Sequence, residues 1–202
     1  MPTRRRLTPD RRRAELLDAG ARLFAAKAYD DVLMEDVAGE AGISRALLYR
    51  HFATKRDLFA AVYQQAADDL LARTEFDAAA PLWDQVSAGL DEHIDYFVAN
   101  RNTVLAANRV LAGDPVIQAV ITDELAVLRR RVLAAAGLAG HARDLMSAAL
   151  LSWLVFVRVI CVEWLVHETF SRIELRDMCV GALRGALAAV IDPAGESPST
   201  TT

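Results

Sequence analysis

From Asp10 to Ile191 the apolar residues recur at three- and four-residue intervals, and no stretch alternates apolar with polar over the length of a strand. A chain patterned this way buries its apolar stripes by packing helix on helix. Hydrophobic residues make up 53% and aromatics only 7%. Ala and Leu are prominent, and both lose little rotamer freedom in a helix. The expected class is all-α, with about nine helices: 10–28, 34–41, 45–52, 54–73, 81–100, 101–111, a seventh ending at Ala136, 142–167 and 173–191. On the first of these, Ala14, Leu17, Ala21, Phe24 and Ala25 share a face. The breaks fall at "YDD", Gly42, "TEFDAAAPLW", Gly113-Asp114-Pro115 and "GLAG". Three segments follow: an N-terminal helical unit over 1–54, a larger helical body over 55–191, and a polar Pro/Ser/Thr-rich tail over 192–202, expected to be disordered.

Charge divides the chain. Residues 1–60 hold 12 Lys and Arg against 9 Asp and Glu, whereas the remainder holds 11 against 18, within a formal net charge of -4. Arg4, Arg5, Arg6, Arg11, Arg12 and Arg13 precede or open the first helix, opposed there only by Asp10. A basic end on an acidic chain fits either a surface that meets a polyanion or a solubilising arm.

The segment 34–52 favours the first, against the alternative of a helical hairpin with an ordinary charged face. Two helices crossing steeply need a small residue at the crossing, which Ala38 supplies, and a tight turn four residues later, which Gly42 supplies. Ser44 is placed to cap the helix that follows. With Ile43, Leu48 and Phe52 anchoring that helix on Leu17, Ala21 and Phe24, residues Arg45, Ala46, Tyr49 and Arg50 face outward. Such a set suits a DNA major groove: Arg grips guanine bidentately, a small Ala allows close approach, and Tyr bonds a phosphate. His51 and Lys55 lie just beyond, where the flanking backbone would run.

The stretch "DVAGEAGISRALLYRHFATKRDLFAAV" resembles the N-terminal region of the TetR family of transcriptional regulators, over roughly residues 11–62. The resemblance implies a homodimer on a palindromic double-stranded operator, usually a repressor, with a C-terminal pocket for a small-molecule effector that releases the DNA. It puts Ser44, Arg45, Ala46, Tyr49, Arg50 and His51 on DNA-facing positions and Lys55 on a phosphate-contacting one. Two positions depart from the pattern. Ala28 stands where the family usually has Gly, and Val32 where it usually has the Thr that caps the second helix. Val32 has no group for an amide or a phosphate, and the nearby acids Asp30, Asp31, Glu35 and Asp36 would repel DNA, so one phosphate contact fewer is expected.

In the body, Gly181 and Gly185 stand at i,i+4, with Ala182 and Ala189 beside them. Paired interior glycines mark close backbone approach, either inside the subunit or at a dimer crossing. Among the aromatics, Tyr63, Phe97, Trp153 and Phe156, with His93 beside Phe97, are candidate effector contacts or plain core. The expected effector is small and fairly apolar. Arg158 lies within an apolar helix and needs a partner that Glu163, five residues on, does not supply; another helix, a second subunit or an anionic ligand remain open.

Val32 and the acids around it keep one alternative open, a helical interaction or ligand-binding protein with weakened DNA binding; an enzyme is the other class to weigh. His51, His93, His141 and His167 fall on separate helices, and Glu163 with His167 are too few for a metal site, so neither enzyme chemistry, metal nor cofactor is expected. Cys161 and Cys179 read as small buried hydrophobes of a reducing compartment. The run Leu145–Val166 is long enough to span a bilayer, but Arg158 and Glu163 inside it favour a soluble core helix, hence a cytoplasmic protein without membrane association.

Overall fold

The computed structural model describes residues 8–74 and 79–191, with side chains described through residue 188. Arg4, Arg5, Arg6, the tail 192–202 and the side chain of Ala189 lie outside it. Every regular element among the described residues is helical: α1 Pro9–Ala26, α2 Met34–Glu40, α3 Arg45–His51, α4 Lys55–Arg73, α5 Leu82–Ala99, α6 Arg101–Leu105, α7 Pro115–Ala136, α8 Gly140–His167 and α9 Arg172–Ile191. A 3-10 turn over Tyr29–Asp31 precedes α2, and α6 widens into a π turn over Ala106–Val110. The class read from periodicity is the class observed.

Several helix starts carry side-chain caps. Thr8 Oγ1 accepts from Arg11 N at 3.3 Å with Pro9 at the first helical position. Ser44 Oγ accepts from Leu47 N at 3.3 Å, and Thr54 Oγ1 from Asp57 N at 3.1 Å. Asp114 caps α7 through Val116 N at 2.9 Å and Ile117 N at 3.1 Å.

The chain packs as two compact units. The first runs through Leu70 and takes in Val98–Ile121; the second holds Leu71–Phe97 and the chain from Thr122 onward. The packing boundary is thus not at residue 54/55. Its cause is α4, whose Leu58, Phe59, Val62 and Tyr63 are buried in the first unit. There α4 approaches α1 so closely that a Cβ on Gly20 would sit 3.1 Å from Val62 Cγ2. Phe59 also meets Phe24 and Tyr29 edge-on, with ring centroids at 5.0 and 5.3 Å. From the other side, Asn102 Nδ2 donates to Ala25 O at 2.9 Å, tying α6 to α1. On α1 itself the buried stripe is Leu16, Leu17, Ala19, Gly20 and Phe24, rotated from the expected face, so Ala14 is exposed.

In the second unit α8 runs along α9, and Trp153 Nε1 donates to Cys179 O at 2.7 Å. Arg158 finds its partner on another helix: Nη2 lies 2.6 Å from Glu124 Oε2 of α7, both side chains being buried. Arg172 and Arg176 of α9 hold Asp91 and Asp95 of α5. The 28-residue α8 is apolar enough to cross a membrane by length and composition alone. A core helix is covered by its neighbours. Within this chain one side is bare: Leu145, Leu151, Val155, Phe156 and Val159 are each more than a third exposed.

Candidate DNA-binding surface and effector cavity

Helices α2 and α3 are joined by a turn in which Gly42 adopts φ +63°, the left-handed region that a Cβ disfavours. Ile43 N donates back to Ala38 O at 2.9 Å, closing the turn on the buried crossing residue. Leu48 and Phe52 are buried and fix the roll of α3, which leaves Ser44, Arg45, Ala46, Tyr49 and Arg50 exposed on one side, with His51 half-buried. The six residues are brought together as a single outward surface.

Two of the basic groups have partners that spacing did not reveal. Arg45 Nη1 lies 2.5 Å from Glu35 Oε1 of α2, and its guanidinium sits 5.4 Å from the Tyr49 ring. Tyr49 and then Glu35 hold the guanidinium above its ordinary pKa. Lys55 turns inward: Nζ donates to Tyr29 O at 2.8 Å and Asp30 O at 3.3 Å and lies 4.5 Å from the Tyr29 ring. It closes the 3-10 turn onto α4, so the ammonium placed by resemblance on a phosphate position has a structural task here.

The acids of α2 are neutralised in the same way. Lys27 reaches Asp36 at 2.9 Å and Arg22 reaches Glu40 at 2.9 Å, beside the Arg45–Glu35 pair. Surface pairs stabilise little, but they place a cation next to each carboxylate of α2. The capping anomaly moves by one residue. Val32 is buried at 1% exposure as a core residue, and the α2 cap is Leu33, 55% exposed, with no side-chain hydrogen bond.

The five residues expected at an effector site are not gathered. Tyr63 belongs to the first unit, stacked on Phe59 at 6.0 Å. Trp153 is consumed in α8–α9 packing, and Phe156 is on the bare outer side of α8. Only His93 and Phe97 stay together, ring centroids 4.1 Å apart, with the Arg158 guanidinium 5.7 Å from Phe97. His93 Nε2 is buried without a hydrogen-bond partner; burial, and then the Arg158 charge, push its pKa down to about 3. Burial pushes the Glu124 carboxyl up, against the pull of Arg158.

A cavity of about 180 Å³ lies elsewhere in the second unit. Its walls are Val86 of α5, Val132 of α7, Met146 and Leu150 of α8, and Leu183 and Leu187 of α9, with Trp83 and Leu138 reaching the surface. None of these is among the effector contacts expected from the sequence, since aliphatic walls carry no signal apart from ordinary core. Among the described residues no group of three or more His, Cys, Asp or Glu could hold a metal ion.

Residues 16–62 match the TetR_N family, described as bacterial regulatory proteins of the tetR family. The HTH-type transcriptional activator FasR of Mycolicibacterium smegmatis is 39% identical over 66 residues, 33% of this chain and 30% of that protein. The uncharacterized HTH-type transcriptional regulator YfiR of Bacillus subtilis is 31% identical over 84 residues, 41% of each chain. The matched stretch therefore spans less than half the length of these curated relatives. Over 93% of the chain the fold is that of a tetR-family transcriptional regulator from Streptomyces coelicolor, with TM-score 0.80, 22% identity and 85% of that chain covered. Over its helix-turn-helix segment the chain is similar to the TetR family, and the all-helical fold around that segment is shared with a tetR-family regulator.

Proposed function

We propose that the protein is a transcriptional regulator that binds a palindromic DNA operator as a homodimer and is released from it by a small, fairly apolar effector. The observation carrying the DNA reading is the α3 surface: Arg45, Ala46, Tyr49 and Arg50 outward, over a roll fixed by buried Leu48 and Phe52. Arg45 and Arg50 read base edges, Ser44, Tyr49 and His51 bond backbone oxygens, and Lys55 supports the surface from behind. Entry into the groove exchanges Glu35 for a base or a phosphate at Arg45.

The dimer reading rests on the bare side of α8 together with its continuation on α9. There Met178, Gly181, Ala182 and Gly185 are exposed, and a Cβ on either glycine would meet nothing within 4 Å. Glycines that leave room for nothing inside their own subunit make room for a second one. A contiguous apolar face of this kind is what a four-helix interface between two copies buries.

Repression is the default sign, and the curated relative named as an activator supplies the opposite reading. A mobility shift on the DNA upstream of the chain's own gene, run at several salt concentrations, tests binding; a reporter on the same fragment reads the sign. Specific binding that weakens steeply with salt is the expected result, because each neutralised phosphate releases counterions. Arg45→Ala should cost about 1–3 kcal/mol at one operator position while sparing the others. Binding that is equally weak on all sequences would overturn the proposal.

A further inference from the structure

The seam between α5 and α9 is an antiparallel ladder of side chains. Arg172 holds Asp95 at 2.7 Å, and one turn on Arg176 holds Asp91 at 3.1 Å. Two turns further along α9, Arg184 reaches the same edge of α5, but the residue it meets is Trp83, with the guanidinium 5.3 Å from the ring. Arg184 is exposed and is given no carboxylate among the described residues. The ladder loses its acid at the point where α5 and α9 begin to wall the cavity, since Trp83, Leu183 and Leu187 all line it.

We propose that this cavity binds an amphipathic anion, a short acyl or aryl carboxylate whose apolar body fills the cavity and whose carboxylate pairs with Arg184 at the Trp83 rim. This rests on the effector reading above and gives that effector a chemical class. The interior offers aliphatic walls and no charged lining residue, so it takes hydrocarbon. Size agrees: a dry apolar cavity of about 150 Å³ accommodates benzene, so 180 Å³ suits a body of six to eight carbons. Arg184 supplies what the seam lacks: a guanidinium laid flat on an aromatic ring presents its N–H fork at the ring edge, where a carboxylate accepts two parallel hydrogen bonds. Arginines on α7 and α8 flank lining residues in sequence, and one of them differs from the rest. Arg129 stands one turn before Val132 on α7, its buried Nε without a hydrogen-bond partner.

The test is calorimetric titration of the full chain, without DNA, by octanoate and by 1-octanol. Octanoate binds the wild type, and Arg184→Gln weakens it about fivefold to tenfold while changing octanol less than about twofold, as loss of a charge-assisted pair at a half-open rim requires. Ala136 also lines the cavity, so Ala136→Leu fills it from α7 and weakens both probes; a circular dichroism melt confirms that each variant folds. The proposal is overturned by absence of octanoate binding, by equal weakening of both probes in Arg184→Gln, or by Arg129→Gln alone removing the carboxylate preference. Release of operator DNA is read separately. Octanoate binding without release leaves the site standing and overturns its link to regulation, and release by some other compound without octanoate binding overturns the site alone.

Discussion

Arg56 grips Asp114 through two parallel hydrogen bonds, Nε to Oδ2 at 2.7 Å and Nη2 to Oδ1 at 2.8 Å. The carboxylate that caps α7 thus also anchors the first turn of α4, immediately after α3. Arg56 and the α7 amides hold the Asp114 carboxyl below its ordinary pKa. Asp114→Ala removes the α7 cap and the Arg56 anchor together. It is expected to lower the melting temperature and to weaken operator binding although no DNA-facing residue has changed. Asp114→Asn, which keeps the cap acceptor, should retain more of both. Because the folded pKa is depressed, the pair's contribution is complete above the unfolded carboxylate range and is lost as pH falls from there through the lower folded value. The melting-temperature gap between wild type and variant should therefore narrow in acid.

Leu33 occupies a helix N-cap with an exposed aliphatic side chain that bonds nothing. Leu33→Ser supplies an acceptor for the free amides of the first α2 turn and is expected to stabilise the fold by about 1 kcal/mol in chemical denaturation. A neutral or negative effect would show that the Leu33 side chain contributes packing its exposure conceals.

Lys55 makes two hydrogen bonds to main-chain carbonyls and faces the Tyr29 ring. Lys55→Met keeps the aliphatic stem and deletes these bonds, which should cost about 1–2 kcal/mol of stability. A residue that acted on phosphate alone would lower DNA affinity with no change in the denaturation midpoint. Measuring both on the same preparation separates the two roles.

His93 is held neutral by burial beside Arg158, its pKa pushed down to about 3. The unfolded chain binds that proton near pH 6.5, so between about pH 6.5 and 3 the unfolded state holds more protons and stability falls as pH falls, by at most about 1.4 kcal/mol per unit. His93→Leu removes this one contribution. The variant should lose less stability than the wild type on going from pH 7 to pH 4.5, and parallel pH profiles would show that His93 is open to water.

What the sequence made legible was whatever is local. Helix periods, the Gly42 turn and the Ser44 cap depend on residues within one or two turns, and each is found in place. Residues Ser44 to Arg50 were readable as an outward surface because Leu48 and Phe52 fix the roll of a single helix. Partners distant along the chain were not readable. Nothing near Arg158 names Glu124, and nothing near Lys55 names the carbonyls of Tyr29 and Asp30. Phe156 and Trp153 lie three residues apart on α8, so a difference in helix roll alone puts one outside and the other inside. The cavity was hidden for a related reason, since its aliphatic walls have the composition of ordinary core.

Gly185 separates folding from assembly. Inside the subunit a Cβ at this position meets nothing within 4 Å, so Gly185→Leu should fold as well as the wild type, helped by about 0.5–1 kcal/mol of helix propensity. In the proposed dimer the same side chain enters the closest crossing of the interface, where no neighbour can give way without opening the contact around Phe156 and Val159. Sedimentation at micromolar concentration should show a monomer with unchanged helix content, and operator affinity should collapse because each monomer contacts only half a palindrome. Gly181→Leu should behave alike, being one turn away on the same exposed side. A Gly185→Leu protein that still sediments as a dimer would place the interface on another face.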